Sequence, residues 1–264
     1  MRPSGANSIR TRFLDVALPL GVVFAILAAL EVAARAGALP MTIPAPSDVA
    51  ETFFAEWPDL LFHAVPTVVV SVSGYLIAVV VALVAGSAAL LVRTLERPIV
   101  TAAVFVESIP LIASAPILIV WFGSGTETKT IIATLAALFP LLVGTIQGFR
   151  AADKTSRELF HVLSASPAQR LTKLLLPSAL PYLFAAFKIA APLAVLGTLF
   201  GEWAGGQDRG LGLMMVYAMF SFDAPTVWMV ILTVCGLAVG FYALAALLER
   251  VVIRWETPQK VGAS

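Results

Sequence analysis

Six apolar stretches of roughly 20 residues are the feature that most limits how this chain can fold. A stretch of that length spans the hydrocarbon core of a bilayer as a helix. The stretches are Val16 to Ala34, Pro66 to Val92, Ile99 to Phe122, Thr130 to Phe149, Ala179 to Trp203 and Val227 to Leu248. They lack the strand-like alternation of a membrane β-barrel, and only 12% of residues are charged, against about 25% in soluble domains. The sequence therefore predicts an all-α, polytopic membrane protein of six transmembrane helices in one domain, residues 1–264.

The distribution of Lys and Arg predicts the orientation, because these residues accumulate in cytoplasmic loops. With a cytoplasmic N-terminus, the cations inside are Arg2, Arg10, Arg12, Arg93, Arg97, Arg150, Lys154, Arg157, Arg170, Lys173, Arg250, Arg254 and Lys260. Those outside are Arg35, Lys129 and Arg209. We therefore expect both termini in the cytoplasm. A cleaved signal peptide ending near Ala36 is the alternative for the first span, but its apolar stretch is longer than the usual 7 to 15 residues of a signal core.

The first outer loop contains an amphipathic segment with Val49, Phe53 and Trp57 at helical spacing. Ser47 is a plausible N-cap for it. Two interpretations stay open: a helix lying on the outer membrane surface, or a helix whose acidic face helps seat an extracytoplasmic partner.

Sequence motifs for chemistry are missing. No Lys follows a Gly, so the chain has no G-x-x-x-x-G-K-[ST] phosphate loop and is not itself an ATPase. His63 and His161 fall in opposite aqueous regions, and the lone Cys235 forms neither a disulfide framework nor a cysteine metal cluster. We expect no enzymatic activity and no bound cofactor, metal or nucleic acid.

Charged residues within the apolar stretches are functional candidates, because an unpaired charge in hydrocarbon is unfavourable. Glu107 and Lys188 lie nine or ten residues into their stretches from the cytoplasmic end, at similar depths. They form a structural ion pair, or Lys188 extends to the interface, or both belong to a polar translocation path. Glu202, between Gly201 and Trp203, is either an interfacial carboxylate or part of a gate or path.

Two prolines, Pro110 and Pro116, fall within the third stretch. Proline kinks or locally unwinds a helix, and such breaks in transporters often line a cavity. The alternative is a packing adjustment without a role in transport.

A polar, basic segment from Thr155 to Pro181 separates two apolar stretches on the cytoplasmic side. Thr155 with Glu158, and Ser166 with Gln169, have the spacing of capping boxes, which predicts two short helices. Three apolar residues beside Arg157 are the expected docking surface for a partner, because an exposed apolar patch needs one. They are Leu159, Phe160 and Leu163.

This segment resembles the cytoplasmic coupling loop of the membrane permease subunits of binding-protein-dependent ABC importers. Their motif runs Glu-Ala-Ala, three residues, Gly, about nine residues, then a hydrophobic residue, Leu and Pro. The matching positions here are Glu158, Leu159, Phe160, Ser164, Leu175, Leu176 and Pro177. Ser164 stands where Gly is usual, and Ala165 and Ser166 follow it in the turn.

Further segments resemble the nitrate, sulfonate and taurine branch of that family. They are Leu39-Pro40, Pro44 to Val49, Ile109-Pro110, Ala115-Pro116, Trp121 to Gly125 and Leu176 to Pro181. Gly201-Glu202-Trp203, Gly210-Leu211-Gly212 and Met215 to Ala218 look closer to permeases for thiamine pyrimidine precursors or riboflavin.

The resemblance implies the type I ABC importer permease fold in the bacterial inner membrane. It also implies a second permease copy, in a homodimer, separate ATPase subunits that hold ATP and Mg, and an extracytoplasmic solute-binding protein. The solute would be a nitrate, sulfonate or taurine-type anion or a pyrimidine or vitamin-precursor heterocycle. A stand-alone secondary transporter or channel is the competing interpretation.

Overall fold

The structure, a computed structural model, describes residues 5–92, 94–205 and 209–254, and every regular element in these ranges is a helix. The α-helices are α1 (Gly5–Arg35), α2 (Pro46–Ala55), α3 (Trp57–Leu91), α4 (Glu96–Glu107), α5 (Leu111–Phe122), α6 (Thr126–Arg150), α7 (Lys154–Val162), α8 (Pro167–Arg170), α9 (Leu176–Gly205), α10 (Leu211–Phe220) and α11 (Ala224–Val252), and a π-helix covers Leu171–Leu175. The all-α prediction is therefore confirmed.

Five helices in the described residues are long and apolar enough to cross a membrane, and α4 with α5 makes a sixth span if the bent pair counts as one. The five are Ala17–Arg35, Trp57–Leu91, Thr126–Arg150, Leu171–Gly205 and Ala224–Val252. Each contains most of a predicted stretch, and the last three extend beyond both of its ends. The third predicted span, Ile99 to Phe122, is not one continuous helix.

The third span is broken at Pro110. Helix α4 ends at Glu107, and α5 begins at Leu111 with its axis bent by 96°. Pro110 lies at the N-cap with φ −59° and ψ 114°, and proline moves the preceding residue out of the α region. Pro116 lies inside α5 without ending it, so only one of the two prolines breaks the helix.

The centre of the fold is the packing of α6 against α9 and α3, and α11 also packs against α9. The buried cluster between these helices consists largely of alanines. Small residues permit this close approach: a Cβ on Gly144 of α6 would collide with the Ala186 Cβ of α9. Helices α6 and α9 are therefore held at short range along their length.

Helix α1 contacts α2, and its apolar segment is not buried by the rest of the chain. The Glu31 carboxylate accepts hydrogen bonds from the Ser47 hydroxyl (2.7 Å) and the Ser47 N–H (3.0 Å). Ser47 is therefore not the N-cap of α2. Ala45 takes that position, and Pro46 begins the helix, as proline favours the first helical position.

The chain from α7 to α9 contains one separate short helix, not two. Helix α8 continues through the π-helix into α9, where the Leu176 N–H bonds to the Leu171 carbonyl five residues back. This wide turn comes just before Pro177, which has no N–H to continue an α-helical ladder. We call the end of the bundle that carries α7 the α7 end, and the opposite end, where α10 begins, the α10 end.

Candidate functional site

Residues 154–170, which we call the α7 hairpin, begin with a cap that differs from the predicted one. The Ser156 N–H donates to the Asp153 carboxylate at 3.0 Å. The Ser156 hydroxyl and this N–H together lower the pKa of Asp153 below its ordinary value. Helix α7 already begins at Lys154, so the predicted box from Thr155 to Glu158 is two residues out of register. An Asp at the N-cap is favourable because it satisfies a free helix N–H.

Helix α7 presents an apolar face to solvent. Leu159, Val162 and Leu163 are 55%, 80% and 66% exposed, and spacings of three and four residues place them on one side. Phe160 is half-buried, so it contributes less to this surface than predicted. Val162 was missed, although its spacing of three residues from Leu159 is the signal that would have placed it on this face. We call Leu159, Val162 and Leu163 the α7 apolar face.

The polar residues of α7 make few contacts. Glu158 is exposed and lies 3.7 Å from the Lys154 ammonium, one helical turn away, an arrangement that contributes little at a surface. The side chain of Arg157 lies outside the described part of the structure.

The turn after α7 uses Ser164 in a left-handed conformation. Ser164 has φ 50°, and the Ala165 N–H bonds to the Phe160 carbonyl at 3.0 Å. These features define a Schellman ending, which usually places glycine at this position. The sequence departs from the family motif here, and the backbone conformation that glycine would provide is kept.

The second predicted capping box is confirmed. The Ser166 N–H donates to the Gln169 side-chain oxygen at 2.9 Å, and the Gln169 N–H donates to the Ser166 hydroxyl at 3.2 Å. Leu176 and Pro177 follow at the start of α9, with Leu176 exposed at the surface and Pro177 half-buried. The hairpin therefore has defined ends on both sides of its turn.

Lys188 pairs with Glu249 of α11, at 2.7 Å, and not with Glu107 as one interpretation held. Helix α11 continues to Val252, whereas the predicted span ends at Leu248 and therefore does not include Glu249. Glu107 is exposed at the end of α4 and makes no hydrogen bond or salt bridge within the described residues.

Glu202 is 1% exposed and connects three helices at the α10 end. One carboxylate oxygen accepts from the Thr67 hydroxyl of α3 at 2.7 Å, and the other accepts from the Gly212 N–H of α10 at 2.8 Å. The Thr67 hydroxyl oxygen in turn accepts from the Leu211 N–H at 2.9 Å. Glu202 and Thr67 thus satisfy two free N–H groups in the first turn of α10, and an anion is favoured at that helix end.

Two glycines let the chain pack against the Glu202 carboxylate. Gly210 has φ 150°, and a Cβ there would overlap the carboxylate. A Cβ on Gly212 would lie 2.8 Å from the Leu199 carbonyl oxygen and 2.9 Å from the Glu202 Cβ. The segment Gly210-Leu211-Gly212, noted in the sequence for its resemblance, is therefore required sterically. The neighbouring Gly210 N–H donates to Nδ1 of His63 at 3.2 Å.

A cleft of about 920 Å³ opens beside this network, between α3 and the start of α6. Lys129, Arg209 and Glu202 contribute to its lining. The Arg209 guanidinium lies 4.2 Å from the centre of the Phe62 ring. Gly201 packs on the Lys129 backbone, and Trp203 is 38% exposed beside Phe200.

Within the described residues, no three His, Cys, Asp or Glu side chains are grouped so as to hold a metal ion. Thr67 and Gly212, the partners of Glu202, were not identified from the sequence. Thr67 is distant from Glu202 along the chain, and Gly212 makes its contact through the backbone N–H. Neither kind of contact leaves a local sequence pattern.

Comparison with known proteins shows family similarity over most of the chain. The family described as "Binding-protein-dependent transport system inner membrane component" matches residues 74–254. The chain is 30% identical over 230 residues to the formylaminopyrimidine transport permease protein of Halalkalibacterium halodurans, covering 87% of this chain and 92% of that protein. It is 33% identical over 165 residues to the riboflavin transport system permease protein of Chloroflexus aurantiacus, covering 62% and 61%.

A third relative is the putative aliphatic sulfonates transport permease protein of Bacillus subtilis, 29% identical over 151 residues, covering 56% of this chain and 54% of that protein. Among solved structures, the fold is similar to a chain of the inward-facing MetNI methionine ABC transporter, with a TM-score of 0.61 and 22% identity. That match covers 74% of this chain and 97% of the other. The predicted type I ABC importer permease fold is confirmed.

Proposed function

We propose that this chain works together with two other proteins in solute transport. The chain belongs to the binding-protein-dependent transport system inner membrane component family and is therefore the permease subunit of an ABC importer. A separate ATPase holds ATP and Mg and hydrolyses the nucleotide. An extracytoplasmic binding protein delivers a small solute. This chain, paired with a second copy, forms the path through the membrane.

The α7 apolar face is the observation that carries this proposal. Three large apolar side chains on one side of a short polar helix are exposed at the edge of the bundle. Exposed apolar patches of this kind indicate a protein partner or a membrane surface. A capped helix joined to a well-defined turn favours a protein partner, because such a helix docks into a groove through positions i, i+3 and i+4.

The distribution of Lys and Arg supports a cytoplasmic α7 end in the bacterial inner membrane. This orientation places the α7 hairpin where ATP is available. It also places the α10 end, with its cleft, on the side from which a binding protein delivers solute.

The connection between α6 and α7 suggests how ATPase movement reaches the membrane. Only a short segment, residues 151–153, separates the two helices. Arg150, the last residue of α6, forms a salt bridge with Glu96 at the start of α4. A displacement of α7 would therefore act on both α6 and the broken third span, as alternating access requires.

The proposed solute class rests on the relatives of the chain. Relatives of the chain include permeases named for an aliphatic sulfonate and for two heterocyclic compounds. An anion of the nitrate, sulfonate or taurine type and a pyrimidine or vitamin-precursor heterocycle both fit this range.

Replacing Val162 with Asp tests the docking assignment. We expect the variant to insert normally and to lose both co-purification with the ATPase and ATP-driven uptake, because a carboxylate in an apolar interface is unfavourable. Leu159→Asp should behave in the same way. Glu158→Lys combined with Phe160→Asp extends the test to the family motif.

Lys154→Asp is the matched control, since it places the same carboxylate on α7 away from the apolar face. It should retain ATPase binding and transport. If Val162→Asp binds the ATPase and transports like the unmodified chain, α7 does not dock the ATPase. Uptake without any ATPase would instead favour a secondary transporter.

A further inference from the structure

We infer that Glu107 and the break that follows it face the aqueous path, and that the path favours solutes with a positive charge or N–H donors over anions. This inference rests on the proposed function and narrows its solute class. Two observations support it: the break in the backbone of the third span, and the fact that the other two intramembrane charges, Lys188 and Glu202, have partners.

The break lies inside the membrane region and cannot face lipid. Glu107 is 11 residues beyond the start of α4 at Glu96, or about 16 Å at 1.5 Å per residue. Residues 107–110 are all exposed on the chain. The end of α4 and the start of α5 leave backbone groups without partners inside their helices. Such backbone is tolerated at membrane depth only where protein or water covers it.

Glu107 differs from the other charges of the spans. Lys188 is paired with Glu249 at 2.7 Å, and the Glu202 carboxylate is satisfied by Thr67 and Gly212. Among the described residues, Glu107 alone of the three candidate span charges has an exposed side chain without a hydrogen bond or salt bridge. A carboxylate in hydrocarbon is expensive, so water is the environment that accounts for its position.

The sign of this charge determines which solutes it favours. A carboxylate repels an anion and attracts a cation, and the interaction grows as water is displaced from a narrow passage. Protonated amines, amidines and amino-substituted heterocycles also donate charge-assisted hydrogen bonds to a carboxylate. The cations Lys129 and Arg209 line the cleft at the α10 end, and Glu107 is not among the residues that line this cleft. The charge beside the break is therefore that of Glu107, at the end of α4.

Thiol labelling measures both the water access and the sign of the field without knowledge of the solute. The full-length chain in membrane vesicles would carry Cys235→Ser, which removes the exposed native thiol, and Ser108→Cys as the probe. Ser108 is exposed, and its hydroxyl donates to the Val104 carbonyl of α4 at 2.7 Å. Two methanethiosulfonates of similar size, one with a trimethylammonium group and one with a sulfonate group, would be compared.

We expect the probe to react with both reagents and the cation-to-anion rate ratio to exceed that of a free thiol. Adding Glu107→Gln should lower this ratio by roughly tenfold, and Glu107→Asp should preserve it. Phe105→Cys, two residues before Glu107 and 71% exposed, is the control, because side chains two residues apart on a helix do not face each other. Its ratio should not depend on Glu107.

Failure of the probe to react with either reagent would overturn the inference, and a disulfide between two Ser108→Cys chains would identify the second copy as the cover. If Glu107→Gln left the cation-to-anion rate ratio unchanged, the preference for solutes with a positive charge or N–H donors would be overturned. Neither result would alter co-purification with the ATPase, so the proposed function is tested separately.

Discussion

Thr67→Val should destabilise the protein strongly while changing its shape very little. Thr67 is fully buried; its hydroxyl donates to Glu202 at 2.7 Å and accepts from the Leu211 N–H at 2.9 Å. The variant removes a hydrogen bond to a buried carboxyl group, which contributes about 1.5 to 3 kcal/mol if the group is ionised. It also leaves a helix N–H unsatisfied at about 1 to 3 kcal/mol. Since remaining partners relax, we expect a loss of about 2 to 4 kcal/mol.

The assay is thermal unfolding of the purified chain in detergent, with the melting temperature expected to fall by roughly 5 to 15 °C. Thr145→Val is a matched control, because Thr145 is also buried but donates only to the Leu141 carbonyl of its own helix, at 2.7 Å. That carbonyl lies one turn back in the same helix and keeps its backbone partner. The control should therefore lose about 1 kcal/mol or less. Equal losses in the two variants would refute the role assigned to the Glu202 network.

Three further predictions concern local features of the structure. Ser164→Gly should stabilise the α7 hairpin by about 1 kcal/mol, because glycine adopts φ 50° without the Cβ penalty; slower hydrogen exchange in the hairpin would show this. Lys188→Met should destabilise by about 2 kcal/mol more than the double variant with Glu249→Leu, because it leaves a partly buried carboxylate unpaired. Thermal unfolding of both variants measures the difference, and a double variant that is less stable than the single one would contradict it. Because the pKa of folded Asp153 lies below its ordinary value of 3.8, its capping contribution is complete above that pH and is lost only as the pH falls through the lowered pKa. Hydrogen exchange at the Ser156 N–H between pH 2 and 5 tests this, with Asp153→Asn expected to show no such transition.

Local patterns were sufficient to predict five continuous spans and part of the hairpin. An apolar stretch determines a membrane helix almost by itself, because lipid leaves few alternatives. The box of Ser166 and Gln169 was predicted because both partners lie three residues apart. The cap of α7 was placed wrongly because Asp153 competed with Thr155 for the same position, and sequence spacing alone does not rank two adequate caps.

The partners of the intramembrane charges required the structure, for a geometric reason. Counting residues along a span gives the depth of a charge, and depth alone suggested that Glu107 meets Lys188. Pairing also depends on the direction in which each side chain leaves its helix and on which helices are neighbours. Lys188 is directed to α11, where Glu249 lies, whereas α4 packs on α6 and α3. The same reasoning explains the missed contact between Glu202 and Gly212, which is made by a backbone N–H that every non-proline residue carries. Charge position along the chain therefore identifies the residues that need a partner, and only the packing of the helices decides that Glu107 is left without one among the described residues.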